Sequence, residues 1–246
     1  MIYKEQKENN KVDIAVLMLN NLDINKLFIK KIYENTKNFS LIIVDNGSTD
    51  GTSDYLKSIS EQHNNISLYI SSVNTGVIGG RNICYEMFKK NDSDYLVVID
   101  NDQIAQAGWL DQHLNVLENF DNAIVGAEAW QMRRDFYPYK HISSPSLFYH
   151  YVGCGGSLIR RKVLDEVGFY DDRFNPCYFE DPDLCFRISE AGYGIGWNYK
   201  ARLSHLGHQT LGKMPSTNIN FASSYEKFVN KWKGHVPKKY IQEELL

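Results

Sequence analysis

Asp94-Tyr95-Leu96-Val97-Val98-Ile99-Asp100-Asn101-Asp102 is the stretch on which the fold turns. Its apolar run is rich in Val and Ile and closed by polar residues, the pattern of a strand buried on both faces in a parallel sheet. Ligands of open α/β sheets bind just beyond the carboxyl ends of such strands. Asp100 and Asp102 would stand there, and carboxylate oxygens suit a hard cation such as Mg²⁺ or Mn²⁺ that completes its shell with water and substrate phosphates. An Asp-Asn-Asp triplet is equally an ordinary turn, because these side chains bond their own backbone. The neighbouring segments have to choose between the two.

Strands and helices alternate upstream of this run. Val12 to Leu19 reads as a strand ending at Asn20-Asn21, and Asn25 to Asn35 carries Leu27, Ile29, Ile32 and Tyr33 at near-helical spacing. Ser40 to Val44 is the next strand, and the polar loop Asp45 to Thr52 caps a helix through Tyr55, Leu56 and Ile59. Ile66 to Ile70 is a third strand, and Asn74 to Asn82 is a glycine-bearing loop that enters another helix. This rhythm predicts βαβ units and a parallel sheet, hence an α/β fold. Downstream, Ala123 to Ala129 reads as a strand, Gln131 to Tyr151 as an irregular aromatic loop, and Gly153 to Ile159 as strand-like. A helix over Arg161 to Val167 stops at Gly168, another runs from Pro182 to Gly192, and a last one covers Tyr225 to Trp232.

Composition narrows the class. With 246 residues, 43% of them hydrophobic, the chain can bury a substantial core. A net charge of -3 lacks the basic excess of a general nucleic-acid binder. Cys84, Cys154, Cys177 and Cys185 are widely spread without a CxxC pair, so they read as reduced and buried rather than as a zinc cluster or disulfide framework. No apolar run reaches the roughly 20 residues that span a bilayer, and Met1 to Lys11 is charged with no apolar signal core. The expected compartment is the cytoplasm, with a peripheral position at the inner face of the membrane as its variant.

Two further segments carry chemistry. Gly76, Gly79 and Gly80 would let backbone N–H groups approach an anion, or would serve only tight helix packing. They form neither a dinucleotide fingerprint after the first strand nor a Walker loop, which disfavours hydride transfer and P-loop chemistry. In Tyr178-Phe179-Glu180-Asp181-Pro182-Asp183, Asp181 before a proline at the first helical position reads as an N-cap. The same crowding of Glu180, Asp181 and Asp183 beside aromatic rings would raise a carboxyl pKa and make a general base.

In order, Ile42-Ile43-Val44-Asp45-Asn46-Gly47-Ser48-Thr49-Asp50-Gly51-Thr52, then Asn74-Thr75-Gly76 through Gly79-Gly80-Arg81-Asn82, Asp100-Asn101-Asp102, Gly153-Cys154-Gly155-Gly156-Ser157 and Phe179-Glu180-Asp181-Pro182-Asp183-Leu184 with Arg187 resemble the family 2 glycosyltransferases. These are inverting, nucleotide-sugar-dependent enzymes of GT-A fold. The resemblance runs from Val12 to Thr210 and implies a mostly parallel central sheet flanked by helices. It divides the chain into an N-terminal extension over 1–11, expected to be mobile, and a catalytic domain over 12–224. Within that domain, 12–104 would bind the nucleotide and 105–224 the acceptor, with 225–246 a helical tail.

The resemblance also implies roles. Asp45 would bond the nucleotide base; Asn74, Gly76, Arg81, Asp100, Gly155 and Gly156 would line the donor site, the two glycines leaving room for sugar rings. Asp100, Asp102 and His205 would hold Mn²⁺ or Mg²⁺, with His208 the alternative histidine. Asp181, beside Glu180, would be the base in a single inverting displacement. The donor is a nucleotide sugar, UDP-sugar ahead of GDP- and dTDP-sugars, and the acceptor a glycan, a lipid-linked sugar or a protein side chain. The loop from Phe136 to Tyr151 would close over the donor and exclude water. Trp109 is core or sugar platform.

Two other classes compete. A nucleotidyltransferase would carry a Gly-rich basic loop where this chain has Asn20-Asn21, and an inactive GT-A-like binding module would have no need of all four acids. The C-terminal helix, with Phe228, Val229 and Trp232 on one face and Lys227, Lys231 and Lys233 on its flanks, either docks on the domain or reaches a membrane surface or partner enzyme.

Overall fold

The structure is a computed structural model and describes residues 11–144, 148–206, 217–235 and 237. Apart from Lys11, the expected N-terminal extension lies outside the described residues, and so do His208, Lys238 and Lys239. The first half reads β1 (Val12–Met18), α1 (Leu22–Asn35), β2 (Phe39–Asp45), α2 (Thr52–Gln62), β3 (Ile66–Ile70), α3 (Gly76–Phe88) and β4 (Tyr95–Asp100). Then come β5 (Gln103–Ala105), α4 (Trp109–Asn119), β6 (Asn122–Gly126), β7 (Ala129–Met132), β8 (Pro138–His141), β9 (Tyr151–Val152) and β10 (Ser157–Arg160). The chain continues through α5 (Arg161–Val167), α6 (Glu180–Glu190), β11 (Gly194–Trp197), β12 (Leu203–His205) and α7 (Thr217–Trp232).

A seven-stranded sheet runs β11-β6-β10-β4-β1-β2-β3. Only β10 is antiparallel to its neighbours; every other pair in the sheet is parallel. The alternation along β4 explains its unbroken apolar run. Tyr95, Val97 and Ile99 join Ile14, Val16, Phe28, Ile32 and Leu56 in one core layer, while Leu96 and Val98 join Ala15, Ile78 and Phe88 in the other. Both faces are therefore covered by helices, as a parallel strand requires.

Several elements differ from the sequence reading. Helix α3 begins at Gly76 itself, so the expected loop ends earlier; a Cβ on Gly80 would run into Leu17, and one on Gly76 into Asn175 and Pro176. Helix α4 was not expected; its Trp109 is fully buried and donates from Nε1 to Thr36 Oγ1 at 2.8 Å, which makes it core rather than sugar platform. The supposed loop over 131–151 contributes to a three-stranded antiparallel sheet, β8-β7-β9. These strands of two to four residues are too short to show a period, and Pro138 interrupts them. Phe136 and Tyr151 are buried in the core, while Tyr137 and Tyr139 between them are exposed, so the segment is anchored at its two ends.

Helix α7 starts eight residues before the expected Tyr225 and docks its apolar face. Phe228 packs 5.2 to 5.7 Å from Phe136, Phe179 and Phe186. The Trp232 Nε1–H donates to the buried Asp183 at 2.9 Å, and Asp183 also pairs with Lys231 at 2.6 Å and Arg187 at 2.9 Å. Phe228→Ala should lower unfolding free energy by about 3–5 kcal/mol in a denaturant titration, because a ring is removed from a filled core. A loss under ~1 kcal/mol would mean that α7 is not integral to the domain. Among the described residues no helix is long and apolar enough to cross a membrane.

Candidate active site

A cavity of about 760 Å³ opens beyond the carboxyl ends of β1 and β4, with Leu17, Asp100, Asp102, Glu180 and Asp181 in its lining. Asp100 ends β4 and Asp102 follows in the turn to β5, which pairs antiparallel with β12 and so brings His205 opposite Gln103. Ligand atoms of Asp100, Asp102 and His205 all lie within 4.8 Å of one another. His205 Nε2 is 3.1 Å from Asp102, and its Nδ1 is 3.7 Å from Glu128. Those two carboxylates raise the His205 pKa to about 10, so a cation loading there would displace a proton.

Behind this cluster lies a buried relay. Arg81, on α3, pairs with Asp100 and donates from Nη1 to the Tyr170 hydroxyl at 3.1 Å. Tyr170 in turn donates to Asp181 Oδ1 at 2.9 Å. Burial alone would push the Arg81 pKa down, but Asp100, Tyr170 and Asp181 carry it well above the usual arginine value. Burial and the Asp181 charge raise the Tyr170 phenol well above its ordinary range, so the hydroxyl keeps its proton. Arg81, expected as a donor contact, thus has its charge engaged inside the protein.

Helix α6 starts at Glu180, so Asp181 and Pro182 occupy its second and third positions rather than a cap and the first. Phe179, at φ 68°, is the residue before the helix, and no side chain caps it. The capping use of Asp181 is corrected accordingly. Glu180 is buried with Oε2 lacking a hydrogen-bond partner, and burial together with the Asp181 charge raises its pKa to about 8. The fold therefore favours the neutral acid, and stability should fall as pH rises from the unfolded carboxyl value of about 4.3 to about 8. Glu180→Gln should remove that slope and gain stability over wild type progressively across this window, read as melting temperature against pH. Parallel melting curves for the two proteins would refute it.

The remaining expected residues divide. Asn74 accepts from Asn46 Nδ2 at 3.0 Å and from the Gly76 N–H at 2.9 Å, and all three line the cavity mouth. Asp45 does not reach it: the carboxylate is fully buried and accepts from the Ser48 N–H at 3.0 Å and from Ser53 Oγ, fastening its own loop. Gly155 lines the cavity, and a Cβ there would collide with the Asp100 carboxylate. Gly156 does not appear in the lining; at φ 77° it turns the chain into β10 against Leu203, so its value is conformational rather than room for a sugar. Glu128, Tyr170 and Trp130 escaped the sequence reading, and Tyr137 entered it only as part of the loop expected over the donor; folding brings all four together with the acids.

A model of the family described as glycosyl transferase family 2 matches residues 14–180. Glycosyltransferase GlyA of Streptococcus pneumoniae serotype 4 is 26% identical over 183 residues, covering 74% of this chain and 23% of GlyA. The uncharacterized glycosyltransferase YfnE of Bacillus subtilis is 30% identical over 113 residues, covering 46% of this chain and 28% of YfnE. The chain thus spans about a quarter of the length of these two relatives. An uncharacterized glycosyltransferase of Haemophilus influenzae is 30% identical over 223 residues, covering 78% of this chain and 67% of that protein. Among solved structures, mannosyltransferase PcManGT from Pyrobaculum calidifontis in complex with GDP-Man and Mn²⁺ superposes with a TM-score of 0.68 at 14% identity over 93% of this chain and 66% of its own. GalNAc-T7 with UDP, GalNAc and Mn²⁺ superposes with a TM-score of 0.74 at 12% identity over 93% of this chain and 49% of its own. At such identities the likeness is one of fold, the GT-A fold.

Proposed function

The chain belongs to glycosyl transferase family 2, and we propose that it moves a sugar from a nucleotide-diphosphate sugar to an acceptor hydroxyl in a single displacement that inverts the anomeric centre. The observation that carries this reading is the pairing of two acid groups on one cavity, Asp100 and Asp102 with His205 at one wall and Glu180 with Asp181 at another. Two carboxylates and an imidazole with ligand atoms within 4.8 Å fit Mn²⁺ or Mg²⁺ as a donor set. When bound, such a cation would stabilise the charge that develops on the departing diphosphate.

The chain's own residues do the rest. Asp181 takes the proton of the acceptor hydroxyl as that oxygen attacks, and Tyr170 holds one of its oxygens by a 2.9 Å hydrogen bond, leaving the other for the acceptor. Arg81 fixes Tyr170 and Asp100 together, so base and donor side keep one geometry. The absence of a side chain at Gly155 lets the Asp100 carboxylate lie where it does. Asn46, Asn74 and Gly76 form the mouth that would receive the nucleotide, with UDP-sugars the first donors to test. The donor would lie against residues 12–104 and the acceptor against residues 105–224 with the C-terminal helix.

Calorimetric titration of nucleotide diphosphates with and without Mn²⁺, followed by a donor panel assayed for nucleotide diphosphate release, tests the reaction class. Product NMR tests its course: the anomeric configuration should be inverted. Retention would rule out a single displacement, and release of pyrophosphate instead would indicate nucleotidyl transfer.

A further inference from the structure

The side of the cavity near Asp181 is aromatic. Trp130 from β7, Tyr137 just ahead of β8, Tyr178 ahead of α6 and Phe221 from α7 all line it. Phe221 joins two of them, its ring 5.5 Å from Tyr137 and 5.5 Å from Tyr178, and lies 5.2 Å from Phe179; Trp130 lines the same cavity. Tyr178 is held in this group at φ 76°, a conformation uncommon for a bulky residue and one that clusters at ligand sites. Aromatic surface with a few polar tips suits the C–H faces and hydroxyls of a sugar ring.

Charge narrows the class further. Asp100, Asp102, Glu128 and Asp181 line the cavity beside the neutral Glu180, whereas its lining cations are Arg81, paired with Asp100, and His205, between Asp102 and Glu128. Among the described residues no lysine and no second arginine lines it. A donor diphosphate can enter such a site with its divalent cation, but a uronate or phosphate on the acceptor would meet like charge in a poorly solvated space. Glu180, nine-tenths buried, lines the same wall as Asp181.

We propose, on the basis of the transfer reaction proposed above, that the acceptor is an uncharged glycan whose terminal ring rests on Trp130, Tyr137 and Tyr178 with one hydroxyl turned to Asp181. The test follows nucleotide diphosphate release from the donor that the panel identifies. It compares neutral gluco-, galacto-, manno- and N-acetylhexosamine trisaccharides, the same sugars ending in a uronate or phosphate, and Ser- and Thr-bearing peptides. At least one neutral glycan should raise release by about tenfold over water, with its acidic counterparts and the peptides below a tenth of that gain. Trp130→Ala and Tyr137→Ala should each raise the acceptor KM by about tenfold while leaving the donor KM unchanged. Tyr137 is partly exposed, so its variant keeps the test intact if the tryptophan change disturbs folding. An acidic glycan or a peptide that matches the neutral ones, no acceptor that exceeds water, or an acceptor KM unmoved by both variants would each overturn the inference. Calorimetry on the same protein separates the failures. Donor binding with the wrong acceptor preference overturns this inference alone; no donor binding with any cation overturns the transfer reaction and this inference with it.

Discussion

Asp181→Asn should lower turnover on the order of 10²-fold or more while donor affinity stays within about twofold, because a general base acts on the acceptor and not on the nucleotide. The substitution keeps the volume and can still accept from Tyr170, so the change isolates proton transfer. The helix start at Glu180 sharpens the test, since Asp181 does not cap α6 and its loss has no capping cost to confuse the readout. Tyr170→Phe serves as the companion. It should reduce kcat by about tenfold and leave donor KM unchanged, because the carboxylate loses the hydrogen bond that orients it. Near-wild-type turnover in Asp181→Asn would remove the residue from the reaction.

Asp102→Ala should abolish the gain in donor affinity on adding Mn²⁺, a loss on the order of 10²-fold, while circular dichroism remains that of wild type. Asp102 is buried, faces His205 at 3.1 Å and has few other ways to act on a nucleotide than through a cation. Removing the metal from wild type with a chelator should reproduce the variant. Unchanged Mn²⁺ dependence in Asp102→Ala would sink the assignment of Asp100, Asp102 and His205 as a metal site.

Much of this site was legible because its acids sit where local pattern changes. Asp100 and Asp102 close an apolar strand, and Glu180 and Asp181 open a helix, so periodicity alone locates them. Direction was not legible. Asp45 occupies the expected strand end yet turns inward to bond its own loop, and no sequence pattern distinguishes that from a carboxylate facing a ligand. Tyr170 and Glu128 carry no pattern that points to a ligand: Tyr170 is brought in by its bonds to Arg81 and Asp181, and Glu128, between β6 and β7, meets His205 only once β12 has paired with β5. Helix α4 was within reach, since Leu110, Leu114 and Leu117 follow Gly108 at helical spacing. The β7-β8-β9 sheet was not, because its strands are too short to show alternation.

Helix α7 holds the fold at one end and lines the cavity at the other. Phe228 and Trp232 are locked into the core, while Asn220 and Phe221, two turns earlier, look into the cavity. The two ends are not independent: the Phe221 ring lies 5.2 Å from Phe179, which itself packs 5.3 Å from Phe228, so a change at 221 is felt in the anchor as well as in the cavity. The last helix thereby ties the shape of the cavity to the stability of the domain, so that neither can be altered from this side without a cost to the other.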